Sequence, residues 1–484
     1  MENKDFVQIL EGFLDNIDGW VWGVPLIVLI LATGIILTLS LKSIQVVMLI
    51  RAIKLVFTPH REGEGKKGDV TSFAALCTAL AATIGTGNIV GVATAVSIGG
   101  PGALFWMFVA AFFGMATKYA ECLLAVRYRE IDSNGSYVGG PMYYIKNGIG
   151  PKSRNTAKVL AWMFSIFGIM AGCLGIGTYT QINSVVEAGA ALNCNRIVAA
   201  TVVTLLVGAI TLGGLKYIAS TAKKVVPFMA LVYIVCCAVI MFMNFSQIPD
   251  AIMLIVQSAF QPAPAIGGFA GATVLMAVQK GVSRGIFSNE AGLGSAPLAA
   301  ASAKTNSPAE QGLINMTGTF LDTMIICMLT GITLVLTGAW TSTETGVAMT
   351  TLAFSQALGT TVGTYVINIS LMLFAFTTIL GWNFYTERCV IYIFGVKGIK
   401  PFRYIYLAIV ASYILIVAYM DITNASQKAA INSVWIIADI ANGLMALPNL
   451  IALLLLRRDI VQETKKYIEQ RRALKRQKKE NSEA

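Results

Sequence analysis

The chain has 484 residues, 56% hydrophobic and only 13% charged, with a mean hydropathy of +0.70 and a formal net charge of +11. Soluble globular chains carry about 25% charged residues, so the composition excludes a soluble fold and describes a polytopic α-helical membrane protein. The positive charge does not point to nucleic acid, because 10 of the 36 Lys and Arg lie from Arg457 onward and most others sit in short loops between apolar runs, where they orient spans and meet anionic headgroups.

The N-terminus, "MENKDFVQILEGFLDNIDGW", is acidic and lacks the basic leader of a signal peptide; residues 1–19 read as an extracellular segment. A spanning helix needs about 20 mostly apolar residues. Eleven such runs follow, near 20–42, 70–98, 102–127, 158–184, 197–213, 224–243, 268–302, 311–338, 361–387, 404–420 and 431–456. No polar linker divides them, so 20–456 is expected to be one transmembrane domain. Two amphipathic pieces, "IQVVMLIRAIKLVF" and "GVAMTTLAFSQALG", lie between spans. The tail 457–484 reads as a basic, solvated amphipathic helix at the cytoplasmic surface. The eight cysteines are scattered without a CxxC and read as small buried hydrophobes, not a disulfide or metal framework.

Eleven spans put the termini on opposite sides. With the C-terminal tail inside, 29 Lys and Arg fall in inside segments and 3 in outside segments. The positive-inside rule therefore places the N-terminus out and the C-terminus in.

Two spans carry polar, glycine-rich windows. "TALAATIGTGNIVGVATAVSIGG" runs from Thr78 to Gly100, and "GVSRGIFSNEAGLGSAP" from Gly281 to Pro297. With the first span set aside, they are the first and sixth of ten. Five is odd, so a second five-span unit enters the bilayer inverted. Interrupted segments at matching positions of two halves point to an inverted-repeat transporter with a midplane site. Close packing is the other reading, since Gly87 and Gly91 form a GxxxG and small residues let helices approach. Asn88, Asn289 and Glu290 are more polar than packing needs. A carboxylate at a helix centre costs at least about 2.5 kcal/mol, so Glu290 is expected to have a partner, with Arg284 and Lys280 upstream the nearest. Asp322 also lies near midspan, where an ion route and a structural bond to neighbouring hydroxyls are equally open. Glu121, beside Lys118, reads as a local pair near the inner helix end.

Three stretches, "IGGPGALFWMFVAAFFGMATKYAE" (98–121), "TIGTGNIVGVA" (83–93) and "SRGIFSNEAGLGSAP" (283–297), resemble the alanine or glycine:cation symporter family. Its members resemble the LeuT-type transporters: all-α, with a 5+5 inverted-repeat core and broken first and sixth core helices, here after one extra N-terminal helix. The resemblance covers 20–456. It implies sodium-coupled, in some members proton-coupled, uptake of small neutral amino acids, chiefly alanine and glycine, with Na⁺ as coupling ion and no other cofactor or transition metal. The oligomeric state is left open, a monomer included. The carried-over substrate residues are Thr83, Gly85, Thr86, Gly87 and Asn88 in the first broken helix, Gln181, then Ser288, Asn289 and Gly292 in the second break, and Thr378 and Trp382. The sodium residues are Ala81, Ile84, Thr377 and Thr378. The chain departs from the family at Thr178-Tyr179, where Asn-Met is expected.

The residue types suit the chemistry. A helix broken at midplane offers free N–H groups and a positive dipole end to a carboxylate, here near Gly87 to Val90. Its first half offers carbonyls, near Ala81 to Gly85, to a cation. Hydroxyls of Thr377 and Thr378 complete a neutral oxygen cage for a hard ion; back-bonding within their own helix is the alternative. Gln181 and Trp382 narrow the pocket, or else make an inter-helix bond and ordinary packing. A membrane enzyme is disfavoured because the only histidine, His60, has no metal-ligating neighbour and no HExxH, GxSxG or phosphate loop occurs. A channel is disfavoured because two different broken windows lie in one chain, rather than one filter repeated by subunits. Proton-coupled symport is the runner-up and would need Glu290 or Asp322 to titrate.

Overall fold

The computed structural model describes residues 2–58, 67–423 and 427–483; His60 lies outside them. Most of the described chain is helical, with one two-stranded hairpin, short bridges and connecting loops. The α-helices of five or more residues are α1 (Glu2–Val21), α2 (Val24–Ser40), α3 (Leu49–Phe57), α4 (Ser72–Thr83), α5 (Val92–Gly99), α6 (Gly102–Arg127), α7 (Arg154–Leu174), α8 (Tyr179–Ala191), α9 (Arg196–Thr211) and α10 (Leu215–Met243). They continue with α11 (Ile248–Phe260), α12 (Val274–Asn289), α13 (Ala296–Ala300), α14 (Pro308–Thr319), α15 (Met328–Leu336), α16 (Gly346–Leu358), α17 (Thr360–Phe394), α18 (Ile399–Thr423), α19 (Gln427–Leu455) and α20 (Arg457–Glu483). Side chains set several starts. Thr71 Oγ1 accepts from Ala74 N at α4, Thr273 Oγ1 from Met276 N at α12, and Asn195 Oδ1 from Ile197 N and Val198 N at α9. These bonds occupy amides that a helix start leaves free.

Among the described residues, eight helices are long and apolar enough to cross a membrane, or nine if the bent pair Ser72–Thr83 and Gly87–Gly99 is one span. The chain is a multi-pass membrane protein. Of the two other expected spans, one is α9, an apolar helix of 16 residues, and the other is the interrupted α12–α13. The expected span 268–302 begins late. Residues 262–273 are not helical and fold back through the bridges Ala263↔Ala272 and Ile266↔Phe269. The span expected at 158–184 is broken between α7 and α8. There Gly172 and Gly177 let α17 approach, since a Cβ at Gly172 would overlap Thr386 Oγ1 and one at Gly177 would lie 2.7 Å from Trp382 Cβ. Both amphipathic pieces are helical, the second as α16, and α11 is a helix that the eleven runs did not include.

The terminal helices are packed. α1 lies along α19, and α20 contacts α6 and α14. In α20 Ile460 and Thr464 are buried. Arg127 pairs with Glu463 at 2.7 Å and Asp459 at 3.3 Å, and Tyr119 Oη bonds Thr464 Oγ1 at 2.8 Å. At its start, therefore, α20 is docked on the bundle and not wholly solvated.

Candidate functional site

The first break begins where α4 ends. Ile84 turns extended (ψ 91°) and a wide π-turn, Gly87–Gly91, leads into α5; the two halves are bent by 52°. Asn88 holds the opening. Its Oδ1 accepts from Gly85 N at 2.9 Å, replacing a bond that a continuous helix would make. Gly85 is required by its neighbour, because a Cβ there would overlap Thr378 Oγ1 of α17. Gly91, by contrast, has no atom within 4 Å of where a Cβ would be, so of the GxxxG pair only Gly87 serves close packing.

The second break is narrower than the glycine-rich window. α12 is regular to Asn289, Glu290 is left-handed (φ 56°), and Gly292 and Gly294 also have positive φ (96° and 81°) before α13. Gly281 and Gly285 belong to the helix and serve packing: their Cβ atoms would meet Ala103 O and Met107 Cγ of α6. Opening therefore describes 290–295, and close packing describes 281–285. Glu290 does not pair with Arg284 or Lys280. Leaving the helix turns its side chain forward, where Oε2 accepts from Ser295 Oγ at 2.5 Å, while Arg284 pairs with Asp439 of α19 at 2.8 Å.

The first break touches the last turn of α12, just before the second. A Cβ on Gly87 would lie 3.0 Å from Ser288 Cα. Asp322 sits beside that contact, fully buried, on a second π-turn (Phe320–Cys327) between α14 and α15. Its carboxylate accepts from Asn88 Nδ2 at 2.7 Å, Ser288 Oγ at 2.8 Å and Thr323 Oγ1 at 2.7 Å. One acid thus ties both broken helices together. Asp322 is the site residue that sequence reasoning left aside; its signal was a lone acid in an apolar run, with partners 234 and 34 residues away. Asn289 is occupied locally: its Oδ1 accepts from Ala291 N (2.8 Å) and its Nδ2 donates to Thr323 Oγ1 (3.1 Å).

The remaining expected residues divide. Gln181 Nε2 donates to Thr86 Oγ1 at 3.1 Å, while its Oε1 is buried without a partner. Trp382, 1% exposed, lies one turn after Thr378; its indole N–H is buried without a hydrogen-bond partner. Thr378 Oγ1 donates to Phe374 O (3.0 Å) and lies 3.5 Å from Ile84 O, so it faces the first break and also back-bonds. Thr377 points elsewhere, to Phe374 O at 3.0 Å and Met229 Sδ of α10 at 3.6 Å. Ala81 is buried on the last turn of α4. Close by, a Cβ on Gly381 would lie 2.6 Å from Ala82 N, which fixes how tightly α17 lies on α4. Thr83 bonds back to Ala79 O and Leu80 O.

Gly292 is not brought to the others. Its amide donates to Glu121 Oε1 (3.0 Å), its carbonyl accepts from Asn449 Nδ2 (2.8 Å), and its free face looks toward Leu450 and Ile30. Glu121 is accordingly no surface pair with Lys118. It is fully buried and accepts from both Gly292 N and Asn449 Nδ2, because α6 carries it beneath the second break.

Two broken helices meeting at a sealed, polar midpoint are one sign; the match of the whole chain is the other, for the sodium:alanine symporter family model covers residues 7–482. The chain belongs to the sodium:alanine symporter family. Within its reach, an uncharacterized transporter of Haemophilus influenzae is 53% identical over 95% of this chain and 96% of its own. The sodium/alanine symporter AgcS of Methanococcus maripaludis is 44% identical over 97% and 98%. The probable sodium/glutamine symporter GlnT of Bacillus subtilis is 35% identical over 96% and 92%. Membership makes the chain a cation-coupled amino-acid symporter.

Proposed function

We propose that the protein carries alanine and glycine into the cell with Na⁺, by alternating access in an eleven-span architecture whose last ten helices form a 5+5 inverted repeat, N-terminus outside. The observation that carries the reading is the contact of the first break, at Gly87, with the last turn of α12 at Ser288, with Asp322 bound to both broken helices. Backbone amides at the start of the π-turn face a carboxylate. The unpartnered Gln181 Oε1 is an acceptor suited to an ammonium; leaving such an atom unpaired costs about 1–3 kcal/mol, which a bound solute recovers. Thr86, Asn88, Gln181, Thr378 and Trp382 are all at most 1% exposed, and so tight an enclosure favours a methyl group or hydrogen as side chain.

Sodium is assigned to the oxygens between α4 and α17: the carbonyls of Ala81 and Ile84 and the Thr378 hydroxyl, with Thr377 joining after its side chain turns from Met229. A neutral cage releases its ion readily, and ion and amino acid bind cooperatively through the shared first break. The name of the archaeal relative, a sodium/alanine symporter, supports both solutes. Proton coupling is the second reading. It is favoured by the burial of three acids, Glu121, Glu290 and Asp322, and one lysine, Lys118.

Calorimetric titration of the purified protein with alanine, with and without Na⁺, tests the assignment. Na⁺ is expected to raise alanine affinity, and alanine to raise Na⁺ affinity by the same factor. Alanine binding indifferent to Na⁺ contradicts it.

A further inference from the structure

On the face that carries α20, the chain leading into α4 is stitched to the chain leaving α13. Asp69 N and Val70 N donate to Ser302 O (2.8 and 3.1 Å), Lys304 N to Val70 O (2.7 Å) and Thr305 N to Lys67 O (3.0 Å), around a parallel bridge Val70↔Ala303. These two segments are the outer continuations of the two broken helices. Gly68 (φ 144°) allows the approach, since a Cβ there would overlap Ala303 O.

One side chain closes over the seam. Arg129, just past the end of α6, donates from Nη1 to Ala301 O and Ala303 O (both 2.8 Å). From Nη2 it donates to Lys67 O (2.9 Å) and Thr305 O (2.8 Å). Its guanidinium lies 4.6 Å from the Tyr137 ring centroid, and Tyr137 N donates to Asp69 Oδ2 at 2.9 Å. The planar fork of an arginine can hold all four carbonyls at once, more than the three N–H groups of a lysine can serve. Beyond the seam lies a cavity of about 590 Å³ whose walls include Lys67, Arg129 and Thr305 on one side and Glu463 and Lys466 of α20 on the other. The seam forms part of the wall of that cavity, while Asn88 and Asp322 are fully buried. A solute leaving toward this face requires the two segments to part.

We propose that Arg129 is the pin of a latch that holds both broken helices shut on this face, and that its withdrawal from the Lys67 and Thr305 carbonyls is the step that opens the site there. Arg129 touches neither break, so it is a positioning residue of the transport cycle. The proposal rests on the transport reading, but its test needs no transport.

Cys327 is the native reporter. It lies at the midpoint, within 3.3 Å of Asn88 Nδ2 and 3.2 Å of Ser288 Oγ, and is fully buried. In sealed proteoliposomes, with a C-terminal epitope marking the α20 face, a membrane-impermeant maleimide is added to one face at a time. Cys327 labelling is read by mass spectrometry. Arg129→Ala is expected to label at least ten-fold faster than the parent from the α20 face and no faster from the other, with Arg129→Lys between. Buried Cys389 and Cys237 serve as folding controls and stay protected. Equal Cys327 labelling of parent and both variants overturns the proposal, as does acceleration from both faces with the controls still protected. If Arg129→Ala exposes Cys389 as well, Tyr137→Leu, which removes only the ring beside the guanidinium, decides. A rise of about three-fold from the α20 face supports the latch, and an unchanged rate overturns it.

Discussion

Gly85→Ala probes the closest contact between the first break and α17. The three atoms nearest to an added methyl all belong to Thr378, with its Oγ1 overlapping and its Cβ and Cγ2 at 3.3 and 3.5 Å. Thr378 Oγ1 is held by Phe374 O, so the methyl must either break that bond or push α17 away from α4. The second movement gives up packing at Gly381, which lies directly against Ala82. Overpacking of this kind costs about 1–3 kcal/mol, so transport activity and detergent stability should fall together, uptake by roughly 5- to 150-fold. Thr378→Ala removes the overlapping atom. The double variant should therefore regain the stability lost in Gly85→Ala, with a coupling energy of about 1–3 kcal/mol, yet still require more Na⁺ because the hydroxyl is gone. Thermal unfolding and the Na⁺ dependence of alanine uptake, measured on parent, singles and double, separate these outcomes. Additive losses in stability refute the contact. Recovery of normal Na⁺ dependence in the double refutes the Thr378 hydroxyl as an ion ligand.

Thr378→Ala alone should raise the Na⁺ concentration for half-maximal uptake several-fold, and Thr377→Ala less, since Thr377 faces Met229; equal effects would remove the distinction between them. Asp322→Asn weakens three hydrogen bonds to a charged acceptor, each worth about 1.5–3 kcal/mol. An amide retaining about half of that leaves a deficit of roughly 2–4 kcal/mol, read as a lower melting temperature and near loss of uptake, and parental behaviour contradicts the hub. Trp382→Ala should let larger neutral amino acids compete with labelled alanine, whereas strict retention of small competitors takes Trp382 out of the pocket wall. Glu121→Gln keeps an acceptor for Gly292 N and should retain most activity, while Glu121→Ala frees that buried amide and should destabilise by about 1–3 kcal/mol; equal loss in both points to charge, not acceptance, at this position.

The first break was legible because Gly85-Thr86-Gly87-Asn88 combines small residues with an amide able to replace a lost backbone bond, and nothing else in an apolar run explains Asn88. The second was located but drawn too wide. A glycine marks either freed backbone or a close neighbour, and only Ala103 and Met107, far away in the chain, reveal that Gly281 and Gly285 are of the second kind. The hub was legible only as an open choice, because a bond from Asp322 to neighbouring hydroxyls was one of two readings and tertiary structure alone names its partners, as it brings Glu121 to Gly292. Thr377 and Thr378 looked equivalent in sequence, but neighbours on a helix point about 100° apart, so one faces the break and the other α10. The break after α7 was missed because its cause is the approach of Thr386 and Trp382 to Gly172 and Gly177, not a breaker in an otherwise apolar stretch.

The measurement that bears most directly on sodium-coupled uptake is accumulation of labelled alanine in proteoliposomes of the purified protein, under an inward Na⁺ gradient and, separately, an inward H⁺ gradient. Concentrative uptake with Na⁺ alone is predicted, reduced in Thr378→Ala. Uptake driven only by H⁺ contradicts sodium coupling and moves the coupling role to the buried acids Glu121, Glu290 and Asp322.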